Sequence, residues 1–151
     1  MSTNRIKLSP RHRFWSYTVF SFLFGSGVIW LWAHYLSTSS ENIFSGSNTI
    51  EAFSMKIHGA AAMAMLIVLG SLIPVHMKRG WTAHVNRWNG IILISVNIVL
   101  ILTGYGLYYT GDDDLRNLAH VTHVLFGLTF PLFLIWHIWS GRKLMHAKKL
   151  R

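Results

Sequence analysis

The chain has 151 residues, of which 52% are hydrophobic and only 13% charged, and it contains no cysteine. Soluble domains average roughly 25% charged residues, so the polar surface of such a domain is missing, and gathering the apolar residues into four blocks excludes a disordered chain. A disulfide scaffold and a thiolate metal site are excluded with the cysteines, which leaves a membrane protein.

Taken in chain order, a basic segment leads into a first apolar span of about Phe14 to Tyr35. That span is longer than the roughly 7 to 15 residues of a signal-peptide core and no small-x-small site follows it, so it is expected to stay as a helix. The second span runs about Ala52 to His76, the third about Trp88 to Tyr109 and the fourth about Leu118 to Trp139. Each is near the ~20 residues that cross a ~30 Å hydrocarbon core. Backbone polar groups find no water there, so each span must be helical. The short connections predict one all-α domain over residues 1–151, a four-transmembrane-helix up-down-up-down bundle.

The net charge of +9 resembles a nucleic-acid signature until its distribution is followed. Arg5, Lys7, Arg11 and Arg13 precede the first span, Lys78, Arg79 and Arg87 join the second to the third, and Arg142, Lys143, Lys148, Lys149 and Arg151 follow the fourth. All of these fall on one side of the predicted bundle, and the five acids, Glu41, Glu51, Asp112, Asp113 and Asp114, lie in the two opposite loops. The positive-inside rule then predicts both termini in the cytoplasm. The basic segments are expected against anionic lipid rather than nucleic acid. Trp15, Trp30, Trp32, Trp81, Trp88, Trp136 and Trp139 gather near span ends, as interfacial anchors do.

Nine histidines carry the chemical information. His12, His84 and His146 sit in basic segments and His34 at the outer end of the first span, whereas His58 and His76 lie on the second span and His120, His123 and His137 on the fourth. Ionisable groups inside a bilayer are costly and point to function. From His58 to His76 is eighteen residues, which at about 100° each closes five turns and puts both rings on one face roughly 27 Å apart. His123 to His137 is fourteen residues, about 40° short of four turns and roughly 21 Å apart; starting from His120 the offset grows to near 100°. His58 and His123 lie at similar distances past their helix starts, and His76 and His137 both fall near the cytoplasmic edge, with a mismatch that tilt or a bend at Pro74 absorbs. Two facing His/His pairs match bis-imidazole ligation of haem iron, twice, and so predict two haem b groups.

Neighbouring residues fit this chemistry and simpler packing alike. Gly59, Ala60, Ala61, Ala62 and Ala64 follow His58, and Gly127 lies one turn after His123; a porphyrin edge and close helix packing both need such gaps. Pro131 would crowd the carbonyl of Gly127 and bend the fourth helix. Lys56 and Arg116 stand at the mouth of the outer pair as partners for haem propionates or as snorkelling cations. Gly25-Ser26-Gly27 reads as a packing notch. His120-x-x-His123 is a fragment of the histidine boxes of membrane di-iron proteins, which need many more histidines. His34 and His120 could replace a ligand or line a quinone pocket.

The paired-histidine layout resembles the bacterial di-haem cytochrome b subunits of formate dehydrogenases and nickel-iron hydrogenases. Lys56-Ile57-His58-Gly59-Ala60-Ala61, Leu102-Thr103-Gly104-Tyr105-Gly106-Leu107-Tyr108-Tyr109 and His137-Ile138-Trp139-Ser140-Gly141-Arg142 resemble a small bacterial family of that type, over about residues 12 to 143. The resemblance implies electron transfer across the membrane between a periplasmic or membrane redox partner and the quinone pool, as a subunit of an oxidoreductase. In the larger relatives one inner ligand comes from the first helix, which sets His12 against His76 at the inner site. Asp112-Asp113-Asp114 would steer a basic partner or form a solvated turn. Two other expectations stand beside this one. One is a haem-free structural or assembly subunit whose histidines bridge helices. The other is a small oligomeric transporter, disfavoured because buried charge and internal repeats are lacking.

Overall fold

The computed structural model describes residues 8–36, 46–84 and 86–149. Every regular element among them is helical. Helix α1 spans Pro10–Leu31 and starts ahead of its apolar block because Ser9 caps it, its hydroxyl accepting the His12 N–H at 3.2 Å. Pro10 at the first helical position loses nothing, since that N–H has no acceptor within a helix. A π turn, Trp32–Leu36, follows it.

Helix α2 spans Gly46–Leu72 and opens into a second π turn, Ile73–Met77, before the short α3, Lys78–Thr82. Pro74 supplies the reason. It has no N–H, and its ring crowds the carbonyl of Gly70, so the α-helical ladder is interrupted and the wider i→i+5 winding accommodates the fault. The chain then turns through His84 and Asn86, at left-handed φ of 55° and 54°.

Helix α4 spans Arg87–Tyr109 and α5 spans Asp113–Lys149. Asp112 caps α5 by accepting the Leu115 N–H at 2.9 Å, and Asp113 and Asp114 occupy the first turn, where the positive end of the helix dipole favours them. Two of the three aspartates of the expected steering loop thus lie within the helix start. Pro131 lies inside α5, which stays helical through it.

Four segments are long and apolar enough to cross a membrane: Pro10–Tyr35, Thr49–Thr82, Arg87–Tyr109 and Asp113–Leu144. They contain the four spans read from the sequence, and three of them run well past the apolar blocks because polar and charged ends prolong the ladder outward. Four such helices are what a multi-pass membrane protein presents.

The described residues divide into two compact units at His76. In the first, α1 packs on α2, and its buried residues, Ser26, Ala33, Ser54 and Ala61, are all small enough to let two backbones approach. In the second, α4 packs on α5, with Val96 and Phe130 buried. Met63 and Ile67 on α2 and Leu132 and Ile135 on α5 are among many exposed large apolar side chains, as suits helices whose solvent is lipid.

Candidate functional site

In the first hairpin, His58 of α2 reaches into a notch on α1. Its Nδ1 lies 2.9 Å from the Leu23 carbonyl oxygen and 3.2 Å from Ser26 Oγ. The notch exists because residue 27 is glycine: a Cβ there would stand 3.1 Å from His58 Cε1 and 3.3 Å from its Nδ1. The Gly25-Ser26-Gly27 stretch is thus a packing notch as expected, and what packs into it is an imidazole. Gly25, with open space around it, takes no part.

The second hairpin repeats this arrangement. His123 of α5 places Nδ1 2.9 Å from Thr103 Oγ1 on α4. A Cβ on Gly104 would meet His123 Cε1 at 3.3 Å and Nδ1 at 3.7 Å. One glycine further toward the start of α4, Gly90 lies against His137, its added Cβ 3.9 Å from Cε1. Gly90 and Gly104 are fourteen residues apart, as are His123 and His137, so antiparallel helices seat both rings on glycines of one partner. Asn86 adds a bond from its side-chain amide to the His137 carbonyl at 3.1 Å. The Nδ1 atoms of His76 and His137 are both buried.

Other expected site residues are placed less simply. His76 falls inside the second π turn, and π winding advances fewer degrees per residue than α winding, so the five-turn closure from His58 does not carry through to it unchanged. His12 lies in the first turn of α1, tied to the Ser9 cap. Arg116, two turns before His123 and so on nearly the same face, donates to the Thr110 carbonyl at 2.9 Å and closes the α4–α5 turn. Lys56 is exposed, and at two residues from His58 it leaves α2 about 200° away. His34 stacks on Trp30 at 4.6 Å, meets Tyr35 edge-on and lies 3.4 Å from Glu51 Oε2. Trp30, expected as an interfacial anchor, also stacks on His34 one turn away.

The donor set suits a b-type haem. Imidazoles are common axial ligands, ligating histidines ordinarily bond their second ring nitrogen to a carbonyl or another acceptor, and Nδ1 of both His58 and His123 is bonded in this way. Sequence reasoning read Ser26 and Gly27 only as a packing notch and Thr103 and Gly104 only as part of a resembling stretch, missing their contacts with the histidines, and it missed Leu23 altogether. A shared five-residue pattern could have tied them together, since Leu23-Phe24-Gly25-Ser26-Gly27 and Leu100-Ile101-Leu102-Thr103-Gly104 both read Leu-x-x-Ser/Thr-Gly. Comparison with known proteins adds no relative: no family model, no curated protein and no solved structure matches the chain.

Proposed function

We propose that this chain is a b-type di-haem cytochrome of the bacterial inner membrane, carrying electrons between a periplasmic or membrane redox partner and the quinone pool. In this reading His58 and His123 ligate an outer haem and His76 and His137 an inner one. That pairing rests on the sequence register, within an up-down-up-down bundle whose termini face the cytoplasm. Arg116 and Lys56 serve the outer propionates, and Arg116 is the better placed by helix phase.

One observation carries the proposal: each hairpin holds a histidine whose Nδ1 is bonded to the facing helix and whose ring edge rests on a glycine of that helix. An imidazole fixed through Nδ1 turns Nε2 away from the bond. The bound haem would supply one-electron redox chemistry. The chain's own residues hold the imidazoles at fixed depth and exclude water with apolar helices. The same bonds favour a second reading, a haem-free assembly subunit in which His58 and His123 staple each hairpin shut.

A reduced-minus-oxidised optical spectrum of the purified protein separates the two. Two haems per chain are expected, with a Soret band and sharp α bands on reduction. His58→Ala and His123→Ala should each remove the same one haem, and His76→Ala and His137→Ala the other. A colourless protein after expression with added haem precursor supports the assembly subunit. Loss of the inner haem in His12→Ala but not His76→Ala would move that ligand to α1.

A further inference from the structure

The two hydroxyls that face the histidines, Ser26 and Thr103, have a single proton each, and the distances fix where it goes. Thr103 Oγ1 lies 2.7 Å from the Val99 carbonyl and 3.2 Å from that of Leu100. Carbonyl oxygens only accept, so an oxygen–oxygen separation of 2.7 Å requires the threonine proton between them. With its proton given to its own helix, Thr103 Oγ1 can only accept from His123 Nδ1, at 2.9 Å. Nδ1 of His123 therefore bears hydrogen.

The first hairpin reaches the same result by a second route. Ser26 donates to the Leu23 carbonyl at 3.0 Å, and His58 Nδ1 lies 2.9 Å from that same oxygen. A carbonyl cannot donate, so Nδ1 of His58 carries the hydrogen and shares it with Ser26 Oγ at 3.2 Å. In both rings the neutral tautomer with hydrogen on Nδ1 has its lone pair on Nε2. Two hairpins with unlike connecting segments thus arrive at one protonation pattern through one local sequence, Leu-x-x-Ser/Thr-Gly.

We propose that Ser26 and Thr103 are the positioning residues of the two outer ligands, setting the tautomer, orientation and donor strength of His58 and His123. This rests on the haem reading above and deepens it. An acceptor on Nδ1–H raises the basicity of the ring and so its strength as an iron ligand. A stronger donor favours ferric over ferrous iron, so these hydroxyls hold the potential of one haem below that of the same haem without them. Gly27 and Gly104 complete the device, since an added Cβ would stand 3.1 Å from His58 Cε1 at the first and 3.3 Å from His123 Cε1 at the second, and the ring would have to shift against its hydroxyl. Each hydroxyl contacts the imidazole and its own helix, so its effect on a bound haem would pass through the imidazole.

The test uses the full-length protein purified with haem and compares wild type, Thr103→Val, Thr103→Ser, Ser26→Ala and Ser26→Thr. Redox titration, ferric low-spin electron paramagnetic resonance and haem content are read on each. Thr103→Val preserves shape and removes the acceptor; it is expected to weaken retention of one haem about 10-fold, raise the midpoint potential of that haem alone and alter its low-spin signal. Thr103→Ser should restore all three. Ser26→Ala, which keeps the Leu23 carbonyl bond, should raise the same potential with full haem content, and Ser26→Thr should restore it. If Thr103→Val does not accumulate, the Ser26 pair decides alone. Wild-type potentials and resonance signals in Ser26→Ala, and in Thr103→Val if it accumulates, would overturn this inference while leaving the cytochrome standing. A wild type without a Soret band would overturn the cytochrome itself.

Discussion

Gly25 and Gly27 lie one residue apart from Ser26 on either side and ask opposite things of a substitution. A methyl group at 27 would stand 3.1 Å from a ring held by two hydrogen bonds, whereas one at 25 meets open space. Glycine in a helix interior costs about 1 kcal/mol relative to alanine, so Gly25→Ala is expected to be neutral or stabilising by up to that amount. Gly27→Ala must move the imidazole or part the helices, an overpacking that typically costs about 1–3 kcal/mol, and on the proposed ligation it should loosen one haem as well. Thermal unfolding in detergent, followed by circular dichroism and by the Soret band, reads both. Equal behaviour of the two variants would mean that the imidazole does not need the notch. This distinction was half legible beforehand: a glycine–serine–glycine notch can be seen in a sequence, but which glycine faces a ring 31 residues away depends on the rotation of α2 about its own axis, and no local pattern sets that angle.

At the scale of elements, the four helices were readable because lipid leaves a backbone no alternative, while their ends and interruptions were not. Ser9 and Asp112 extend α1 and α5 beyond their apolar blocks through side-chain caps, which follow from hydroxyl and carboxylate chemistry rather than from hydrophobicity. The bend expected at Pro74 takes the form of a π turn, Ile73–Met77, that also contains His76; a missing N–H can be predicted, but the way the backbone repairs it depends on neighbouring packing. The turn into α4 offers a test at this scale. Asn86 holds a left-handed φ of 54° and donates to the His137 carbonyl at 3.1 Å. Asn86→Gly relieves the backbone and removes the bond, with an expected loss of about 0.5–1.5 kcal/mol. Asn86→Ala removes the bond and adds a left-handed penalty of roughly 1–2 kcal/mol, so it should be the less stable of the two by chemical or thermal unfolding. On the proposed ligation both should disturb the inner haem before the outer one. An alanine variant as stable as the glycine one would show that the left-handed conformation is not maintained.

For the whole molecule, the distribution of charge decides orientation in a way that packing within a hairpin cannot. Each hairpin folds on its own contacts, α1 on α2 and α4 on α5, and those contacts are the same whichever side of a membrane the ends occupy. The asymmetry comes from Lys78, Arg79, Arg87, Arg142 and Lys143 at one end and Asp112, Asp113 and Asp114 at the other. Lysine and arginine resist translocation while acidic residues contribute little, so the proposed topology leaves both termini and the α3–α4 connection inside and the α4–α5 turn outside. Alkaline phosphatase fused after Gly111 should be active, and fused after Arg151 inactive, with a fluorescent protein at Arg151 bright. Changing Arg79, Arg87, Arg142 and Lys143 to glutamine while adding lysines beside Asp113 should weaken that contrast or reverse it. The reverse pattern in the unaltered chain would put His58 and His123 near the cytoplasmic leaflet. The haem they ligate would then be the one nearer the cytoplasm, and a periplasmic donor would have to reach the chain through the His76 and His137 end.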